Sequence, residues 1–422
     1  MASVPFLRRA TLALNLALTS SAPAAVTLLD AYRSAVEKTE AVALQRSAAE
    51  QAEKRVDQAL GRIYPQLSLL GQYTYQDPVQ RPGGLLAFTQ PDQYNLRFNF
   101  VQPLFRGFGE WAELRSRRAA RAAEQARERN VRLGLYRTVA DAYYAVLAEE
   151  TDCRNLESII ALTEKQVSEL RQRVAIGRSR LGDKLAVEAS AASLRAQLIA
   201  QRNALTAARE TLRAVTGLGF DVELAPASAG PAEPPSLSAL LEELEKRPDI
   251  EAAKRQIEAA EESIAVSRAG HWPSVDATAN VFLTRTGPLA GSHWDVGVQV
   301  VWPLFQGGVV DAAVRENVER TKSAQLTLDQ LRRQAEQELR TAHAAAVHAI
   351  DQERELARAL KLSEKNYEQQ LRDYRNGLVT NLEVLNALER LQQTRRGHDR
   401  LLHEAQARKV RLEVAAGRSP SL

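Results

Sequence analysis

The sequence is poor in the residues that usually carry chemistry. One cysteine, Cys153, stands among 422 residues, which excludes an intrachain disulfide framework and a multi-cysteine metal site. The six histidines form no HExxH set, and the pairs His343/His348 and His398/His403 are five apart, too far round a helix to share a face closely. Met1 is the only methionine, so no Met cluster for soft metals exists. "GRSRLGDK", beginning at Gly177, is not a Walker A loop, because no Gly-Lys-Ser/Thr step follows at the required distance. Charge of one sign is also missing: 56 basic against 52 acidic residues give +4, two of the basic ones being Arg8 and Arg9. No basic patch is concentrated enough to read as a nucleic-acid footprint. No apolar run approaches the roughly 20 residues of a spanning helix. No nucleophile–base set, metal cluster or phosphate loop emerges, and the chain reads as a non-enzyme without cofactors.

What is present favours helix. Aromatics are 5% and charged residues 26%, and Ala, Glu, Arg, Gln and Leu dominate, the makeup of long helices or coiled coil. Charges alternate in sign along the helical stretches, as on solvated faces laced with i,i+4 pairs. At the N-terminus, Arg8-Arg9, the apolar run "ATLALNLALTS" and the small residues "SAPAA" predict a secretory signal over 1–24, cut near Ala22-Pro23-Ala24. The product is expected to be exported without a transmembrane helix. It is also expected to lack an N-terminal lipid anchor, since no cysteine follows the cut.

The chain repeats itself. Pro103-Leu104-Phe105 recurs as Pro303-Leu304-Phe305, Gly177 as Gly377 and Gly217 as Gly417, all at an offset of 200. Upstream the offset is 208, pairing Leu29 with Leu237 and Pro65 with Pro273. The difference falls around "QDPVQRPGGLLAFTQPDQ", a longer loop in the first copy, where insertions are tolerated. Repeat 1 is placed at 25–217 and repeat 2 at 237–417, with a Gly/Pro/Ala/Ser-rich linker at 218–236 and a tail at 418–422. Each copy predicts a helix (about 28–62 and 237–270), then two alternating segments (about 65–77 and 93–102; 273–285 and 294–302). A very long helix follows (about 107–175 and 307–375), then a tip (176–183 and 376–383) and a last helix.

In the first long helix Val139, Val146, Cys153, Ile160, Val167 and Val174 recur every seven residues. Leu135, Ala142, Leu156 and Leu170 fill the second seam, interrupted by Glu149 and Thr163, and the whole is an a/d heptad. Cys153 therefore reads as a small seam hydrophobe rather than a reactive thiol. A helix approaching seventy residues is about 100 Å long at 1.5 Å per residue and must pack laterally against others.

The alternating segments are sharper. Leu67, Leu69, Gly71, Tyr73 and Tyr75 oppose Gln66, Ser68, Gln72 and Thr74, while Leu96, Phe98 and Phe100 oppose Asn95, Arg97 and Asn99. In the second copy Val275, Ala277, Ala279, Val281 and Leu283 oppose Asp276, Thr278, Asn280 and Thr284. Trp294, Val296, Val298, Val300 and Trp302 oppose Asp295, Gly297 and Gln299. Period two with aromatics near the ends fits membrane β-barrel strands, apolar toward lipid and polar toward a lumen, although a half-buried soluble sheet gives the same period. Four strands leave two edges that hydrocarbon cannot accept, and small barrels close at about eight. The chain is therefore expected to pool strands with copies of itself under cyclic symmetry.

This plan resembles the TolC-like outer membrane efflux protein family: a repeated helix–hairpin–long helix–helix unit, Pro-Leu-Phe-x-Gly after each hairpin, and a glycine turn at each far end. The segment beginning Arg247-Pro248-Asp249 and leading to Pro273, and "YRNGLVTNLEVLNALERL", are similar to its second-repeat features, and the resemblance covers the whole mature chain. It implies a mainly α fold with a small membrane β component. Three chains would trimerise into a 12-stranded β-barrel continued by a 12-helix periplasmic α-barrel. It further implies a passive duct in the bacterial outer membrane, served by a periplasmic adaptor protein and an inner-membrane pump of RND or ABC type.

In the family acidic residues ring a periplasmic constriction, its second turn commonly reading G-x5-D-V-L-D. Here Gly377 is followed by Glu383-Val384-Leu385-Asn386, so Glu383 takes the first acidic place while Asn386 departs from the second. One acidic ring and weaker block by divalent cations are implied. By the same resemblance Tyr374 and Asp183 would latch the closed tip by hydrogen bonding, without the basic residue often found where Val379 stands. Gly177 and Gly377 would mark the adaptor-docking turns. At the barrel–tunnel joint, Trp302 is expected to anchor at the interface, Pro303 to stop the strand ladder, and Gly307 to turn the chain into the helix, with Pro103 and Gly107 doing the same in the first copy. The competing reading, a non-channel periplasmic coiled-coil spacer, leaves the four symmetric amphipathic strands unexplained.

Overall fold

The computed structural model describes residues 25–77, 91–226, 233–287 and 289–420. The signal expected over 1–24, most of the longer first loop, part of the linker and the last two residues of the tail lie outside the described residues. Twelve main elements follow in order: α1 (Leu28–Lys38), α2 (Glu40–Gly61), β1 (Gln66–Tyr75), β2 (Asp92–Arg106), α3 (Gly109–Ala175), α4 (Leu181–Thr216), α5 (Leu237–Glu243), α6 (Pro248–Arg268), β3 (Ser274–Arg285), β4 (Trp294–Val301), α7 (Val309–Arg375) and α8 (Asn381–Ala415). The two long helices have 67 residues each and begin and end 200 positions apart. Among the described residues no helix is long and apolar enough to cross a membrane.

The helices expected over 28–62 and 237–270 are each broken, and at the same place in the repeat. Thr39, extended at φ −80° and ψ 126°, separates α1 from α2. Arg247, at φ −58° and ψ 138°, precedes Pro248 at the start of α6. Proline pushes the residue before it out of the helical region, which explains the second break. Both break residues grip the end of their own repeat's last helix. Thr39 Oγ1 donates to the Val215 carbonyl at 3.1 Å, and Arg247 Nη1 to the Ala415 carbonyl at 2.7 Å, carbonyls that correspond at the repeat offset of 200.

The four strands form one antiparallel sheet in the order β1-β2-β3-β4, so β1 and β4 are open edges. The register aligns Leu69, Phe98, Val281 and Trp294 on one face and Ser68, Asn99, Asn280 and Asp295 on the other. The polar rung is hydrogen bonded across strands: Asn99 Nδ2 donates to Asn280 Oδ1 at 2.9 Å, and Asn280 Nδ2 to Asp295 Oδ1 at 2.7 Å. Asn99 and Asn280 are half-buried, whereas Leu69, Trp294, Val296 and Val298 are each more than half exposed. That is the inverse of a soluble sheet packed on a core.

Two expectations about the strands need correction. β2 does not stop before Pro103. It runs on to Arg106, with a register shift between Pro103 and Phe105 opposite Asp276 and Val275. A bulge spares the proline the ladder bond it cannot donate. Pro303 lies beyond the last residue of the edge strand β4. Secondly, strict alternation in β3 fails at Leu283. Arg97 pairs with Phe282, but Leu96 pairs with Thr284, so Leu283 is a bulge. Thr284 consequently falls on the apolar face and Arg285 on the polar one, which Phe282 shares with Asn280 by alternation.

The helices keep the lateral order of the strands. In its first half α3 packs between α2 and α6, and α6 packs on α7. Ion pairs bind these neighbours, Arg62–Glu113 at 2.7 Å on the α2 side and Arg115–Glu262 at 2.8 Å on the α6 side. In its second half α3 packs between α4 and α8, and α8 packs on α7. The heptad seam is buried there, with Val139, Val146, Cys153, Ile160 and Val167 each at 9% exposure or less. A second buried stripe through Tyr136, Tyr143, Leu147 and Ile159 serves the other neighbour. Burial pushes the Cys153 thiol pKa up, as expected of a packed hydrophobe rather than a nucleophile.

Candidate functional site

Two regions collect the residues singled out above: the helical tips and the joint between sheet and helices. At the tips, α3 and α7 end in identical turns. Gly177 has φ +74° and Gly377 φ +75°. Arg178 N–H donates to the Arg173 carbonyl at 2.8 Å, and Leu378 N–H to the Asp373 carbonyl at 2.9 Å, which is the 6→1 bond of a Schellman cap. Beside the two glycines the apolar residues Ile176, Leu181, Leu378 and Leu382 stand 59–74% exposed.

Glu383 lies in the first turn of α8, and its carboxylate folds back on the helix start. Thr380 N–H donates to Glu383 Oε2 at 2.6 Å, and Thr380 Oγ1 to the same oxygen at 3.1 Å. This is the N3 acid of a capping arrangement, leaving Oε1 as the oxygen free to face solvent. Asn386, one turn further along, is exposed.

Tyr374 and Asp183 are not hydrogen bonded to each other. The Asp183 carboxylate accepts from Ser179 Oγ at 3.3 Å. The Tyr374 ring packs on the buried cluster of Val167, Leu170, Val187 and Ala191, with the Arg173 guanidinium 5.2 Å from its centroid. The buried side-chain hydrogen bond that joins the repeats at the tip is elsewhere. Buried Gln166 donates from Nε2 to Asn381 Oδ1 at 3.0 Å, and Asn381 Nδ2 donates to the Asp183 carbonyl at 3.4 Å. Asn381 is 3% exposed. Reading the sequence for charge missed this pair. The available signal was a break in the repeat, since Leu181 stands where the second copy has Asn381.

At the joint, Gly107 and Gly307 both adopt positive φ, +63° and +61°. A Cβ on Gly107 would lie 2.8 Å from the Ala269 carbonyl oxygen and 2.9 Å from Trp272 Cβ; one on Gly307 would meet nothing within 4 Å. The first joint is thus packed against the second repeat, while the second, beside the open edge, is bare. Phe105, Phe108, Trp111, Trp272, Trp302 and Phe305 gather here, and all but Phe105 are at least half exposed. Such an aromatic band fits a membrane interface.

Farther along the sheet, on its polar face, Arg97 and Arg285 approach the Phe282 ring, the guanidinium carbons lying 5.9 and 4.2 Å from its centroid. Among the described residues no group of His, Cys, Asp and Glu is placed to hold a metal ion.

Comparison with known proteins agrees with this architecture. The family model described as outer membrane efflux protein matches residues 25–218 and 239–418, one match per repeat. Outer membrane protein TolC of Escherichia coli K12 is 25% identical over 301 residues, a span of 65% of this chain and 58% of the relative's length. The outer membrane protein VceC of Vibrio cholerae superposes with a TM-score of 0.77 at 22% identity, covering 92% of this chain and 96% of the other. CusC superposes with a TM-score of 0.82 at 19% identity, covering 93% and 92%. These superpositions show a shared fold.

Proposed function

Because the chain belongs to the outer membrane efflux protein family, we propose that three copies close into an outer-membrane channel continued by a periplasmic helical tunnel. The assembly is a passive exit duct for a tripartite efflux or type I secretion system. The observation that carries this reading is the shared lateral order of sheet and helices. The strands run β1-β2-β3-β4, and the helices attached to them run α2-α3-α6-α7 in the same sense. One protomer is thus a ribbon with a strand edge and a helix edge open on each side, β1 and α2 on one, β4 and α7 on the other.

Open strand edges cannot stand in hydrocarbon, and the two edges differ, so a head-to-tail interface repeated round an axis is what pairs them. Two copies would give a barrel of about eight strands, whose interior is filled by its own side chains. Three give a lumen. The direction of closure is supported by the cross-strand rungs, where Asn99 and Asn280 of the polar face are half-buried and Leu69 and Trp294 of the apolar face are more than half exposed, as a barrel wall between lipid and water requires.

The gate belongs at the tips. Glu383 and Asn386 line the constriction, and the three Glu383 carboxylates draw cations toward it. The resting lock between the repeats is the Gln166–Asn381–Asp183 chain of hydrogen bonds with the Arg173–Tyr374 stack, in place of a direct Tyr374–Asp183 bond. The Gly177 and Gly377 turns, with their exposed leucines and Ile176, receive the periplasmic adaptor. Energy comes from an inner-membrane pump, of RND or ABC type. Pro103, Gly107, Pro303 and Gly307 act as joints rather than binding sites. Fractionation tests the reading: a heat-modifiable trimer in the outer-membrane fraction supports it, and a soluble periplasmic product overturns it.

A further inference from the structure

We propose that Arg97, Arg285 and Phe282 form an anion-binding collar on the wall of the lumen, in the outer half of the strand region; the proposal rests on the channel reading above. Phe282 alternates onto the face that carries Arg97, and the bulge at Leu283 completes the group by turning Arg285 onto the same face. The Phe282 ring is 7% exposed and serves as a fixed base for two guanidinium groups, both within 6 Å of its centroid. Cation–π attraction holds each cation but neutralises neither.

Among the described residues neither arginine meets a carboxylate, and the acids of the same face are engaged. Asp295 accepts from Asn280 at 2.7 Å, and Asp276 is paired with Arg106 at 2.9 Å. Two like charges therefore share one aromatic base, and on the wall of a lumen a field of one sign concentrates. Arg97 Nε is also buried with no acceptor. A guanidinium fork with a donor to spare matches the paired oxygens of a carboxylate, sulfate or phosphate group. Three chains would place six such cations round the lumen, opposite in sign to the acidic tips. The ligand class is a dissolved oxyanion in transit, because the collar faces the lumen and not the lipid.

The test uses the purified full-length assembly in phosphatidylcholine bilayers, with inorganic pyrophosphate added to the chamber facing the strand ends. The expected result is a reversible reduction of conductance, lost in Arg97→Gln/Arg285→Gln and retained but weakened in Arg97→Lys/Arg285→Lys, which keeps the charge without the fork. A conducting wild-type pore that ignores pyrophosphate, or a block that survives in the double Gln variant, overturns the collar while leaving the channel standing. A wild-type assembly that forms no pore overturns the channel reading and the collar with it.

Discussion

Arg247 donates a hydrogen bond of 2.7 Å to the carbonyl of Ala415, 168 positions away, and its guanidinium also pairs with Asp249 at 2.8 Å and Glu338 at 3.1 Å. At 7% exposure it is a buried cation that closes the second repeat upon itself. Removing one partner of a buried ion pair leaves uncompensated charge, so Arg247→Met should destabilise the protein by about 3 kcal/mol. Thr39→Val, at the corresponding joint of the first repeat, removes one neutral hydrogen bond and should cost about 1 kcal/mol. Denaturant unfolding of both variants checks the ratio.

The tip makes a second contrast. Asn381→Leu strands the Gln166 amide in a buried site, which should cost about 2 kcal/mol. It should also raise single-channel conductance by loosening the contact between the repeats. Gln166→Leu combined with Asn381→Leu removes both polar groups and should recover most of the stability while the conductance stays high. Tyr374→Phe should leave conductance unchanged, since the Tyr374 hydroxyl has no partner among the described residues, whereas Tyr374→Ala loses the ring under Arg173 and should raise it. Conductance in planar bilayers separates these outcomes.

The two joints should differ in their tolerance of a methyl group. Gly107→Ala meets the Ala269 carbonyl and the Trp272 side chain as well as an unfavourable φ. Gly307→Ala meets the φ penalty alone, about 1 kcal/mol. The first variant should therefore unfold at clearly lower denaturant than the second, and equal midpoints would show that the packing of Gly107 is immaterial.

Acid should weaken the contact between α3 and α8. His403 on α8 has its Nε2 3.1 Å from Thr151 Oγ1 on α3. Burial holds the His403 pKa below its ordinary value, opposed by Asp399 and Glu150 and reinforced by Arg154. A base with a lowered folded pKa is protonated more readily in the unfolded chain. Its share of stability is therefore intact above about pH 6.5 and declines as pH falls from there toward the folded pKa. His403→Gln should flatten this part of the stability–pH curve below about pH 6.5, and an unchanged slope would assign the acid sensitivity to the many surface carboxylates.

Most of the architecture was legible because periodicity is a backbone property. The heptad from Val139 to Val167 marks a buried seam, and the alternation from Leu67 to Tyr75 and from Trp294 to Val300 marks one apolar face. What escaped depended on single residues acting against the pattern. Thr39 breaks a helix without a proline because its side chain finds the Val215 carbonyl, which no local signal announces. Pro103 sits inside a strand because β2 bulges beside it at Leu104, and a bulge in β3 at Leu283 flips the residues after it. At the tip, the sequence directed attention to acids and a tyrosine. The buried polar contact between the repeats is instead an amide pair, Gln166 and Asn381, whose partnership exists only once α3 and α8 lie side by side.

The central claim, that the open edge β1–α2 of one chain pairs with β4–α7 of the next and that three such steps close the ring, is tested most directly by cross-linking. In a Cys153→Ala background, one cysteine is walked along β1 (Gln66–Tyr75) and one along β4 (Trp294–Val301), and membranes are oxidised before denaturing electrophoresis. The account predicts β1/β4 pairs that yield cross-linked species of two and three chains and nothing larger. A ladder running past three chains, or the absence of any interchain product across the whole walk, would contradict it.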